Sequence, residues 1–209
     1  NDVVITPNLV RTGNGVNLEF KISEGSKAKI EAIYFTGNDS FSATELKSVI
    51  TTKESGLLMS ALNKDVYDID QVEKDRDSLL EFYRVKGFAD ASVSEADVTF
   101  DSEKNEVMIG FHVEEGLRYK IGNITVDSSI PEFQNPDTPE RYRGSRYNPE
   151  EVKRLGSLIE EEAAKNVSGT TLVDVRTARQ GDKIDVTFTV DKGQNTYLNR
   201  IDIIGNDRT

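Results

Sequence analysis

A general base, a metal cage or a thiol nucleophile would have to come from a short inventory in this 209-residue chain, which has one histidine and no cysteine. Without cysteine, disulfides, thiol nucleophiles and thiolate metal sites are excluded together. The histidine, His112, falls between Phe111 and Val113 in an alternating run, so it belongs to the opposite face of that strand, away from the apolar side. Asp68, Asp70, Asp75 and Asp77 gather at the head of a predicted helix, where the macrodipole favours negative charge and no cation is needed to explain them. The stretch DSEKNEVMIGFH, from Asp101, opens like a calcium loop but lacks the glycine at position six and the glutamate at position twelve; it reads as a hairpin turn. Asn38, Asn123 and Asn166 sit in N-x-S/T sequons, which carry meaning only in a glycosylating compartment. The GNGV at Gly13 is too short for a phosphate loop. No catalytic, cofactor-binding or metal-ligating residue is expected, and no cofactor.

The net charge of −11 and the lack of a dense Lys/Arg run argue against nucleic acid as a partner. No run approaches the roughly 18 apolar residues of a membrane helix. What positions the remaining residues is a long-period repeat. Aligned on Gly25, Gly116 and Gly193, the chain shows apolar residues five positions later (Ile30, Ile121, Leu198), eight later (Ile33, Ile124, Ile201) and ten later (Phe35, Val126, Ile203). Ahead of each glycine lie three apolar residues at period two: Leu18, Phe20, Ile22; Ile109, Phe111, Val113; Val186, Phe188, Val190. Such alternation marks half-buried strands. Spacings of 91 and 77 residues suit small domains in tandem, not solenoid units.

One unit predicts the order β-α-α-β-β. A strand over Lys29–Thr36 ends at Gly37-Asn38, and Ser42 with Glu45 forms a capping box, with Phe41 and Leu46 placed as a hydrophobic staple. The first helix buries Leu46, Val49 and Ile50. The second, over Ile69–Lys86, buries Ile69, Val72, Leu79, Leu80 and Tyr83 and ends at Gly87 as C-cap. Two strands follow, Ala91–Phe100 and Glu106–Glu114. The next unit has a strand over Lys120–Asp127, then a stretch whose three prolines oppose a regular first helix. Asn148 caps a helix with Pro149 at its first position, burying Val152, Leu155, Ile159 and Ala163, and strands Thr171–Ala178 and Lys183–Asp191 close it. Residues 1–24 predict only a hairpin and 194–209 only a first strand, which suggests a piece of a longer array. The expected divisions are 1–24, 25–115, 116–193 and 194–209.

At EGSKAKIEAIYFTGNDSFSATEL, LLEFYRVKGFADASV, EGLRYKIGNITV and YLNRIDIIGND the chain resembles the polypeptide-transport-associated (POTRA) domains of the Omp85 superfamily, over essentially its whole length. The resemblance implies an α+β fold: small domains, each a three-stranded mixed sheet covered by two antiparallel helices, with the second strand at an exposed edge. The pieces would be the end of a second POTRA domain, a third, a fourth, and the opening strand of a fifth. In the fourth, the Gly-aromatic ending of the second helix is absent. The resemblance also implies a periplasmic array attached to an outer membrane barrel, receiving unfolded β-barrel proteins and binding accessory lipoproteins.

An open sheet edge can be extended by an incoming chain through β-augmentation. The candidate edges are Ser92, Val93, Ser94, Glu95, Ala96, Asp97, Val98, Thr99 and Phe100 in one unit, and Leu172, Val173, Asp174, Val175 and Arg176 in the other. Glu95, Asp97, Asp174 and Arg176 equally suit charged gatekeepers on ordinary edges. Two further readings fit the same pattern: an array feeding a secretion or translocation barrel, and a rigid scaffold that docks only partner proteins. Contact with a membrane is expected only through a barrel outside this stretch. Limited bending is expected at Gly25, Gly116 and Gly193.

Overall fold

The computed structural model describes residues 3–12, 15–24, 27–56, 59, 65–134 and 139–193. The expected strand beyond Gly193 lies outside them. The chain divides into two compact units, one of Asn1–Arg84 with Asp90–Leu117 and the other of Val85–Ala89 with Arg118–Thr209.

In the first unit, strands β1 (Val3–Thr12) and β2 (Gly15–Glu24) pair antiparallel as the expected hairpin. Strand β3 (Lys29–Thr36) then leads to helix α1 (Ala43–Val49) and, after a connector, helix α2 (Ile69–Val85). The Ser42–Glu45 capping box forms in both directions, satisfying two backbone donors that the helix itself leaves open. Phe41, just before the cap, packs edge-on against Phe82 and Tyr83, so the entry to α1 is fixed against α2. Gly87 follows α2 with a φ of +97°, a conformation glycine takes up without steric cost.

Strand β6 (Glu106–Glu114) is central: β3 runs parallel to it, and the second strand runs antiparallel on its other side. Val107, Ile109, Phe111 and Val113 face the helices and are buried, while His112 lies exposed on the opposite face beside Thr36. The second strand departs from expectation. It is broken into β4 (Ser92–Val93) and β5 (Asp97–Asp101), with 94–96 outside the ladder. Val93 pairs with Val113 and Val98 with Ile109, so five steps on the edge oppose four on β6. That extra residue is a bulge, which bends an edge strand and interrupts its pairing.

Two further corrections concern α2. Ile69, expected in the buried stripe, is 60% exposed. Asp75, grouped by the sequence with the acids that the macrodipole favours at the helix head, is instead buried and accepts hydrogen bonds from the Thr51 and Thr52 N–H groups at 2.8 and 2.9 Å and from Gln71 Nε2 at 3.1 Å. It anchors the chain leaving α1 to the middle of α2.

The second unit keeps the sheet and changes the helical layer. Strand β7 (Lys120–Ser128) pairs parallel with β9 (Lys183–Lys192), and β8 (Thr171–Gln180) pairs antiparallel with β9, in the order β7-β9-β8. Where the prolines fall there are two 3-10 turns, Pro131–Phe133 and Glu140–Tyr142. Asn148 caps helix α3 (Pro149–Asn166) through the N–H groups of Glu150 and Glu151. Its buried residues are Val152, Leu155, Gly156, Ile159 and Ala163, packed on Ile184, Val186, Phe188 and Val190. Each large side chain buried there contributes about 1.5–3 kcal/mol. Among the described residues no helix is long and apolar enough to cross a membrane.

Candidate functional site

Each three-stranded sheet has two edges, and the chain closes one of them itself. Along β3, the connector before α2 supplies partners: Ile30 N–H donates to Asp65 O at 2.8 Å, Tyr67 N–H to Ala28 O at 2.9 Å, and Ser55 N–H to Ile30 O at 2.7 Å. The Glu54 carboxylate takes the Ile33 N–H at 2.8 Å. Along β7 the equivalent job falls to 144–147: Ile121 N–H donates to Ser145 O at 2.8 Å, Gly144 N–H to Ile121 O at 2.8 Å, and Tyr147 N–H to Tyr119 O at 3.0 Å. The second strand of each sheet has a described strand neighbour on one side only.

These two open edges differ. In the first unit, Ser92 and Val93 pair with the end of β6, Ser94 to Ala96 form the bulge, and Asp97, Val98, Thr99 and Phe100 resume the ladder. Ser94 N–H still donates to His112 O at 3.0 Å, so the bulge is held, not loose. Val98 and Phe100 share the helix-facing side with Ile109 and Val107. Beside the bulge is a cleft of about 110 Å³, walled by Ile69, Val72 and Arg76 of α2 and by Glu95, Ala96 and Val98. That position accounts for the exposure of Ile69.

In the second unit β8 is unbroken over ten residues. Val173 and Val175 pair with Val190 and Phe188 on the helix-facing side, while Leu172, Asp174 and Arg176 lie on the outer face. Arg176 Nε reaches Asp174 Oδ2 at 3.0 Å along the strand. Between β8 and α3 runs a groove of about 350 Å³, lined by Val152, Lys153, Gly156 and Glu160 of the helix and Val173, Val175 and Thr177 of the strand. Gly156 makes it possible: a Cβ there would sit 3.3 Å from Val175 Cγ2 and 3.5 Å from the Phe188 ring. The strand candidates are thus brought to two open edges, but the helix residues facing them were not foreseen. A glycine inside the apolar stripe of α3 was the available signal.

Of the expected bending points, Gly25 lies outside the described residues. Gly116 has a φ of +67°, and Gly193 donates its N–H to Thr170 O at 2.8 Å. Among the described residues no group of three or more His, Asp or Glu side chains is placed to hold a metal ion.

The POTRA family, described as a surface antigen variable number repeat, matches residues 28–116. The outer membrane protein assembly factor BamA of Neorickettsia risticii is 29% identical over 204 residues, covering 94% of this chain and 27% of that protein. BamA of Neisseria meningitidis is 22% identical over 214 residues, covering 100% of this chain and again 27% of its own length. The chain therefore spans about a quarter of the curated relatives it matches. Among solved structures, the crystal structure of Haemophilus influenzae BamA POTRA3-5 superposes with a TM-score of 0.57 at 19% identity, covering 81% of this chain and 68% of that one, which supports the α+β fold. Residues 28–116 match the POTRA family, and the chain that carries them is similar over almost its whole length to the outer membrane protein assembly factor BamA.

Proposed function

We propose that this chain works as the periplasmic receiving segment of an outer membrane protein assembly factor. It takes extended stretches of unfolded β-barrel proteins onto an open sheet edge and passes them toward a membrane barrel, with accessory lipoproteins docking on the same array. The observation that carries this reading is β8: ten unbroken residues with one open side, beside an apolar-floored groove under α3. Main-chain pairing tolerates many sequences, and alternate side chains of the guest can enter the groove. Barrel strands alternate apolar and polar residues, which matches a groove on one face of the edge and water on the other. Contact over one strand stays below about 1,200 Å², the range of weak, releasable encounters.

The first unit offers a weaker version of the same edge. Its bulge limits a guest to the five residues of β5 or the two of β4. NMR titration with a synthetic barrel-strand peptide tests the proposal. The expected result is a set of amide shifts running along Leu172–Ala178, larger than those along Ser92–Phe100. Shifts confined to loops, or equal shifts with a peptide whose alternation has been scrambled, would refute it.

A further inference from the structure

The two units close the start of their first strand with the same backbone plan, so their side chains can be compared position by position. In the first, Lys29 bridges Val66 on one side and pairs with Glu106 on the other, and its N–H donates to Asn105 O. In the second, Lys120 bridges Arg146 and pairs with Lys183, and its N–H donates to Asp182 O. Residues paired across a ladder point to the same face. The row across the sheet is therefore Val66, Lys29, Glu106 in one unit and Arg146, Lys120, Lys183 in the other.

The counter-charges change as well. Lys29 Nζ lies 3.6 Å from the buried Asp65 carboxylate, and the residue in the place of Asp65 is Ser145, whose carbonyl accepts from Ile121 just as that of Asp65 accepts from Ile30. Arg146, Lys120 and Lys183 are all exposed, and none forms an ion pair with a described residue. The nearby acids, Asp182 and Asp185, form no ion pair with any of the three. Asp185 is engaged by the Asn123 N–H at 2.6 Å, and Asp182 contributes its backbone carbonyl in the turn. A cleft of about 450 Å³ adjoins the row, lined by Gly122, Asn123, Arg143 and Lys183 and by the acids Asp182 and Asp185. Three unpaired cations side by side repel one another, in a chain whose net charge is −11.

We propose that this row docks an acidic helix of a partner protein. The spacing selects a helix. Neighbouring strands lie about 4.8 Å apart, so the three cations repeat at that interval across the sheet. Carboxylates at i and i+3 or i+4 on a helix are about 5–6 Å apart, whereas alternate residues of an extended strand are about 6.7 Å apart. An anionic membrane surface is disfavoured by the negative charge of the rest of the chain, which such a surface repels.

The test is an NMR titration at low salt with an alanine-based helical peptide carrying glutamates along one stripe. A control peptide of the same composition has them scattered around the helix. The expected result is amide shifts around Lys120, Arg146 and Lys183, binding that weakens with added salt, and a loss of about tenfold or more in affinity for the Lys120→Glu/Lys183→Glu pair. The milder Lys120→Gln/Lys183→Gln pair should also bind less tightly, and it reads the same site if charge reversal disturbs folding. Equal binding of the scattered peptide, unchanged binding by the Gln pair, or retention on anionic vesicles without binding of the striped peptide would overturn the proposal.

Discussion

Tyr34 lies across Gly110 and donates its hydroxyl to Asp97 Oδ2 at 3.2 Å, tying strand β3 to the edge strand β5 over the glycine of the strand between them. A Cβ at Gly110 would collide with the Tyr34 ring, so the glycine is what lets the phenol reach the edge. Partial burial, then the charge of Asp97 and the hydrogen bond to it, raise the Tyr34 phenol above its ordinary value. A raised phenol pKa stabilises the fold below the ordinary tyrosine range, and that contribution is lost as pH rises through the raised value. Asp97→Asn should return the Tyr34 titration, read by its absorbance difference against Tyr34→Phe, toward about 10. Gly110→Ala should displace the ring and speed amide exchange over Asp97–Asp101. Unchanged exchange in Gly110→Ala would mean that the strap does not hold the edge.

Two glycines with left-handed backbone should respond very differently to alanine. Gly37 has a φ of +73°, and a Cβ there would run into the backbone carbonyl of Val113. Gly181, at the β8–β9 turn, has a φ of +61° with open space around it. Gly181→Ala should cost only the left-handed penalty of about 1–2 kcal/mol. Gly37→Ala adds a clash with main chain that cannot swing aside, and should cost clearly more, above about 3 kcal/mol. Urea unfolding of the two variants checks the ranking, and equal losses would contradict it.

Asp75 satisfies three donors from a buried position. Asp75→Ala leaves two main-chain N–H groups unpaired at the end of α1, each worth about 1–3 kcal/mol of lost stability. Asp75→Asn keeps an acceptor oxygen and should lose less. Denaturant midpoints separate the two; if both variants cost the same, the charge matters and the acceptor geometry does not.

How much of this was legible in the sequence follows from the range of the interactions. The Ser42–Glu45 box, the Asn148-Pro149 cap and the period-two runs of β6 and β9 are local, and the fold carries them at the expected residues. Asp75 was misread because its partners, Thr51 and Thr52, lie 24 and 23 residues away, and its local company of Asp68, Asp70 and Asp77 is solvated. The bulge had a signal that went unused: Val93 and Val98 are an odd number of residues apart, so one regular strand cannot turn both inward. The basic row joins residues 120, 146 and 183, which no window of local sequence brings together. The second-unit groove likewise depends on Gly156 meeting Val175, a contact between elements.

Glu54 explains why β3 does not serve as a second open edge, and it makes that closure sensitive to acid. Its Oε1 accepts from Ile33 N–H at 2.8 Å and from Lys47 Nζ at 2.6 Å. Burial alone would raise its carboxyl, but the hydrogen bond from Lys47, the Ile33 N–H and the Lys47 charge together hold it below the usual carboxylate range. A carboxyl lowered on folding stabilises fully above its ordinary value of about 4.3, and the contribution is lost as pH falls through the lowered one. Exchange at the Ile33 amide should therefore accelerate as pH drops below about 4, beyond the intrinsic pH dependence of exchange. Glu54→Gln keeps an acceptor for Ile33 and loses the half-exposed ion pair, a cost of about 0.5 kcal/mol, and it should abolish the acid dependence. Glu54→Ala strands the Ile33 N–H and should cost about 1–3 kcal/mol. If the alanine and glutamine variants exchange alike at Ile33, the clamp on β3 comes from the backbone connector alone.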